Sequence, residues 1–202
     1  GVLAYRKDTR GSTPLAALMV AAALWGLSNV LAASGTAPFW DRFAFLWIPT
    51  TSFAWLVFAL QYTGYEQHVT VPKLAVLAVH PVVVGGAALA NPQLGLIWPD
   101  GVANAATGPL WIAHAVYSYV VIVGATVLVV RHLFSDDGTY RMQAVLLAVG
   151  AVVPLIANAV YITTSFPGRD PTPIAFTATG VVLLYGMRSY GLADVTPVAT
   201  SK

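Results

Sequence analysis

The sequence predicts an all-α fold, a polytopic bundle of membrane-crossing helices, and three observations carry that prediction. Only 9% of the 202 residues are charged while 57% are hydrophobic, whereas soluble domains carry roughly a quarter charged residues. Mean hydropathy is +0.72. The apolar residues also gather into six continuous runs, each long enough to cross about 30 Å of hydrocarbon as a helix of roughly 20 residues. Barrel strands would instead alternate apolar and polar residues over about ten positions. The same composition excludes a disordered segment, a coiled coil and an ordinary soluble enzyme.

The runs lie near Pro14–Ser34, Phe39–Thr63, Pro72–Ala90, Gly108–Leu133, Tyr140–Thr164 and Thr172–Tyr190. Pro14, Pro72, Pro109 and Pro173 sit at helix starts, where a missing N–H costs no hydrogen bond. Ser12 or Thr13, Thr107 or Gly108, and Thr172 stand where N-caps belong. Ser135-Asp136-Asp137-Gly138 reads as a polar turn. Gly1–Tyr5 is too short for a span and reads as the tail of an earlier one, which makes seven spans in the intact protein. The chain thus divides into a cytoplasmic segment (1–13), a transmembrane bundle (14–190) and a cytoplasmic connector (191–202).

Lys and Arg set the orientation. Arg6, Lys7, Arg10, Lys73, Arg131, Arg141, Arg188 and Lys202 fall on one side, Arg42 and Arg169 on the other. The positive-inside rule makes the richer side cytoplasmic, with the C-terminus inside. Phe39, Trp40, Trp98 and Trp111 then cluster at the outer interface, where aromatic rings anchor. Ten scattered basic residues and a net charge of +2 do not make a nucleic-acid surface. With no cysteine there is no disulfide, thiolate ligand or Cys nucleophile.

Charge is absent from the middle of every span, which argues against a pump or an ion-coupled transporter. Lys7, Lys73 and Lys202 all lie at edges, so no lysine is placed for a retinal Schiff base. Two imidazoles are intramembrane. Counted at about 1.5 Å per residue from each helix entry, His80 and His114 fall some 9 Å apart in depth, too far to ligate one haem. No zinc-protease, Walker or nucleophile-elbow motif is present, and no catalytic, cofactor or metal set can be assembled.

Polar residues do recur at helical spacing. Trp25 and Asn29 share a face, as do Trp111, His114 and Ser118 with Tyr117 at the flank, and Pro154, Asn158 and Tyr161. In hydrocarbon such residues need partners, so the stripes turn inward, as interhelical hydrogen bonds or as a small pocket in the outer half of the bundle. Pro49, Pro81 and Pro154 interrupt helices and tend to kink them. The longest connection, 91–107, carries Asn91, Trp98 and a turn at Asp100-Gly101, and is expected to fold over the bundle mouth. The candidate ligand-binding set is Trp25, Asn29, Asn91, Trp98, Trp111, His114, Tyr117, Asn158 and Tyr161.

Several motifs, in order, carry a resemblance: Phe58-Ala59-Leu60-Gln61-Tyr62-Thr63-Gly64, Asn91-Pro92, Gly95-Leu96-Ile97-Trp98 and Gly108-Pro109. They continue with His114-Ala115-Val116-Tyr117-Ser118-Tyr119, Tyr140-Arg141-Met142-Gln143, Pro154-Leu155-Ile156-Ala157-Asn158-Ala159-Val160-Tyr161, Asp170-Pro171-Thr172-Pro173 and Asp194-Val195-Thr196-Pro197-Val198. The set resembles the seven-transmembrane N-terminal sensor region of prokaryotic histidine kinases of the haloarchaeal type. That resemblance implies a multi-pass sensory domain in the plasma membrane, with the lipid bilayer and an unidentified small ligand or membrane signal as partners. It further implies PAS and histidine-kinase modules downstream in cis, action as a homodimer, and kinase chemistry that belongs to those modules rather than to these residues. The other reading is a small-solute transporter or an unrelated polytopic protein, which would show inverted repeats or broken half-helices; none is visible.

Overall fold

The computed structural model describes residues 12–33, 37–101, 107–135, 141–164 and 170–189. Long helices account for most of them: α1 (Ser12–Ala33), α2 (Ala37–Tyr62), α3 (Val71–Leu89), α4 (Pro109–Ser135), α5 (Arg141–Thr163) and α6 (Thr172–Ser189). The described residues contain no strand. α1 to α5 are long and apolar enough to cross a membrane; in α6 the apolar stretch covers Thr172–Val182. The segments read as a missing first span and as a connector, Gly1–Tyr5 and 191–202, lie outside the described residues.

The helices close a ring. α1 packs on α2, α2 on α4, α4 on α5, α5 on α6, and α6 back on α1. α3 sits outside, mainly against α2. It buries Val84, Gly85, Ala87 and Ala88 near its C-terminal end and leaves Val71, Val76, Val79 and Val82 exposed. The approach is close: a methyl group at Gly85 would sit 2.9 Å from Leu46 Cδ2 and displace the end of that side chain, with the α2 backbone 3.5 Å away. In lipid, exposed valines cost nothing, because small residues and packing, rather than water exclusion, decide which helix faces meet.

Two clusters fill the two ends of the bundle. Leu15, Leu18, Trp55, Phe58, Ala59, Tyr62, Ala125, Val129 and Leu147 pack together from four ring helices. Within that cluster the Trp55 indole N–H donates to Thr126 Oγ1 at 3.2 Å. The second cluster joins Phe45, Val84, Ala87 and Ala88 to Ile97 and Trp98 of the 90–108 connection. We call the end bearing that connection the loop end.

Pro49 lies inside α2 and is fully buried. The polar groups around it are satisfied locally: Thr50 Oγ1 donates to Leu46 O at 2.7 Å, Thr51 Oγ1 to Ile48 O at 2.7 Å and Ser52 Oγ to Pro49 O at 2.9 Å. Hydroxyls of this kind let an interrupted helix persist in hydrocarbon.

Candidate functional site at the loop end of the ring

The connection after α3 is a built structure. Asn91–Leu94 forms one helical turn. Asn91 then clamps the chain that follows. Its Oδ1 accepts from Ile97 N at 2.9 Å and Trp98 N at 3.0 Å, and its Nδ2 donates to Trp98 O at 2.9 Å. This turns Ile97 and Trp98 inward, to 0% and 3% exposure. The Trp98 ring meets Phe45 edge-on with centroids 4.9 Å apart. The start of α4 is pinned to the same segment through Gly108 N to Ile97 O at 2.8 Å. A methyl group at Gly108 would lie 2.2 Å from Leu96 O, so only glycine permits this approach.

Beneath Trp98 the ring encloses a cavity of about 170 Å³. α1 contributes Leu18, Trp25 and Asn29 to its wall, and α2 contributes Asp41, Phe45, Ser52 and Trp55. From α4 come Trp111, His114, Ala115, Ser118, Tyr119 and Ile122; from α5, Pro154, Asn158 and Tyr161; and from the start of α6, Asp170, Thr172 and Phe176. Most of these surfaces are aromatic or aliphatic. Trp25 packs edge-on against Phe176 at 5.8 Å, joining α1 to α6 across one side.

A chain of hydrogen bonds crosses the other side. Tyr119 Oη donates to Asn158 Oδ1 at 2.8 Å, and Asn158 Nδ2 donates to Thr172 Oγ1 at 3.0 Å, with Asp170 Oδ2 at 3.5 Å. Thr172 Oγ1 donates in turn to Asp170 Oδ1, which also accepts from Thr172 N at 2.9 Å. α4, α5 and the N-terminus of α6 are thereby tied through a single amide. Burial raises the Asp170 carboxyl above its ordinary range, while the two hydrogen bonds from Thr172 act in the opposite direction.

His114 Nδ1 lies 3.2 Å from His80 Nε2 and 3.2 Å from Ser118 Oγ, and Ser118 Oγ lies 3.5 Å from Ser52 Oγ. The His80 and His114 rings stack with centroids 5.2 Å apart. This corrects the depth estimate from the sequence, which separated the two imidazoles by about 9 Å. Counting each helix from its own entry ignores tilt, and it ignores the folded connection that sets where α4 begins. The nitrogens face each other within hydrogen-bond distance.

The structure gathers Trp25, Asn29, Trp98, Trp111, His114, Asn158 and Tyr161 around the one cavity. Asn91 and Tyr117 are not on its wall. Asn91 spends its amide on the connection, and Tyr117 turns to α3, with its ring centroid 3.9 Å from that of His80. The sequence stripes did not select Asp41, Asp170, Tyr119, Thr172 or Ser52. Asp170-Pro171-Thr172-Pro173 was legible only as a helix start. The signal for Tyr119 was its i,i+4 spacing from Ala115 and i,i+8 spacing from Trp111, which places all three on one face.

The family model described as the N-terminal 7TM region of histidine kinase matches residues 1–197. No curated protein and no solved structure matches the chain.

Proposed function

The chain belongs to the family of N-terminal 7TM regions of histidine kinases, and from that premise we propose that its cavity receives the signal and that α6 relays it to kinase modules beyond its C-terminal end. The membrane sensory role follows from the family. What supports a signal site at the loop end is the cavity itself, walled by all five ring helices. α6 is the last helix in chain order among the described residues. Its N-terminus is held by the Asn158–Thr172–Asp170 joint, and Phe176 rests on Trp25. A ligand that favours one packing of these groups shifts the position of α6, and it can shift it only by its difference in affinity for the two packings.

In this reading the loop end faces outward and Arg141, Arg188 and Lys202 lie in the cytoplasm, as the excess of basic residues on that side favours. Trp25, Asn29, Trp98, Trp111, His114, Asn158 and Tyr161 form the signal site, with Asn91 positioning Trp98 from behind. Tyr117 acts through His80 and α3. The full-length protein works as a dimer, with PAS and kinase modules following in cis.

The test uses full-length kinase in vesicles. Ala115→Trp fills the cavity from α4, while Val116→Trp, one residue on, points from a position that is 61% exposed on the lipid side. Autophosphorylation should change in the first variant and stay at the wild-type rate in the second. Equal rates in both would remove the cavity from the mechanism.

A further inference from the structure

Resting on the cavity as the signal site, the geometry points to its ligand class: we propose a small organic ammonium with an apolar body, its charge held against Asp170 and its body among the Trp rings. Among the described residues the lining contains the Asp170 carboxylate and no Lys or Arg. A carboxylate removed from water needs a compensating charge or a full set of donors. Among the described residues Asp170 has donors chiefly on Oδ1, from Thr172, while Oδ2 has the Asn158 amide at 3.5 Å. No cation lies against it among the described residues.

The rest of the wall suits the same ligand. Trp25, Trp98, Trp111 and Tyr161 face one cavity, and aromatic faces attract a cation within about 6 Å through their quadrupoles, more strongly as water is excluded. Ammonium groups carrying carbon substituents shed water more readily than bare ions, so an aromatic wall selects them over a metal cation. Asn29 adds a further feature. Its Nδ2 is enclosed and has no protein acceptor among the described residues, which leaves a donor for an oxygen on the ligand. Binding between Asp170 and the opposite wall would pull on Thr172, the first residue of α6, so the same contact that recognises the charge would move the output helix.

Benzyltrimethylammonium, its neutral carbon isostere neopentylbenzene and the anion phenylacetate provide the test. Each is titrated against the chain in phosphatidylglycerol vesicles, corrected for partition into protein-free vesicles, and read by tryptophan fluorescence, since Trp25, Trp55, Trp98 and Trp111 all line the cavity. The ammonium should bind at least about tenfold tighter than the isostere, with no saturable binding of the anion. Asp170→Asn should weaken the ammonium by about tenfold and leave the isostere unchanged. Asn keeps an acceptor for Thr172, and unchanged fluorescence without ligand verifies the fold of the variant.

Adding phosphatidylcholine separates the sources. Competition assigns the ammonium to a lipid headgroup, and no competition assigns it to a soluble molecule; either result upholds the class. Equal binding of ammonium and isostere, both blocked by Ala115→Trp, would overturn the charge assignment while leaving the cavity as the signal site. No saturable binding of any probe would overturn the assignment as well, and the kinase comparison of Ala115→Trp with Val116→Trp would then decide the cavity alone.

Discussion

Replacing Asn158 by Leu removes the amide through which α4, α5 and α6 are joined. Leu is close in size, so the cavity wall keeps its volume while two well-formed bonds disappear: Tyr119 to Asn158 at 2.8 Å and Asn158 to Thr172 at 3.0 Å. The 3.5 Å contact to Asp170 is too long to add much. Interhelical hydrogen bonds in membranes are worth about 0.6 kcal/mol on average and up to about 1.7. Two of them come to about 1–3 kcal/mol, which shifts a two-state packing equilibrium by about 5–150-fold. Val181→Leu is the control, on α6 itself but at a position 64% exposed. With full-length kinase in vesicles, Asn158→Leu should change autophosphorylation by at least about fivefold and Val181→Leu by less than about twofold. A double-mutant cycle with Tyr119→Phe should return a coupling of about half a kcal/mol or more. If the two leucine variants give the same output, or if the cycle shows no coupling, the joint does not govern α6.

Asn91→Ala strips a buried acceptor from two backbone N–H groups and a donor from one carbonyl. At about 1–3 kcal/mol per orphaned group, the 91–101 segment should open without unfolding the bundle, seen as faster amide hydrogen exchange at Ile97 and Trp98 with unchanged helix content. Asp170 gives a pH signature. Its folded carboxyl is held above the ordinary carboxylate range by burial, so folding favours the protonated form; the resulting stabilisation is present at low pH and is lost as pH rises through the folded value. Thermal stability of the wild type should therefore fall relative to Asp170→Asn from the ordinary carboxylate range upward, and parallel curves for the two proteins would contradict the burial of that charge. Orientation can be read directly, because the sequence has no cysteine. Arg141→Cys should label from the cytoplasmic side and Gln93→Cys, on an exposed stretch of the connection, from the outside; labelling of Arg141→Cys from outside would invert the whole assignment.

The amino-acid sequence by itself determined the class of this protein. Hydrocarbon leaves a backbone few ways to satisfy its hydrogen bonds, so continuous apolar runs of this length could only be helices, and proline at the helix starts marked where several begin. Faces were legible where polar residues were sparse and evenly spaced. Pro154, Asn158 and Tyr161 share a stripe and all reach the cavity.

Tertiary structure decided the rest, because in a membrane the inside and outside of a helix are equally greasy. Val116, Val120 and Val123 face outward and Val129 is buried on the same helix, and no hydropathy pattern distinguishes them. Rotation of α4 therefore had to be set by its neighbours: α3 drew Tyr117 to His80, leaving Tyr119 to meet Asn158. The pairing of His80 with His114, 34 residues apart, and the turn of Asp170 into the ring depend on which helices adjoin and at what depth. Those quantities belong to the packed bundle and are written in no single stretch of the chain.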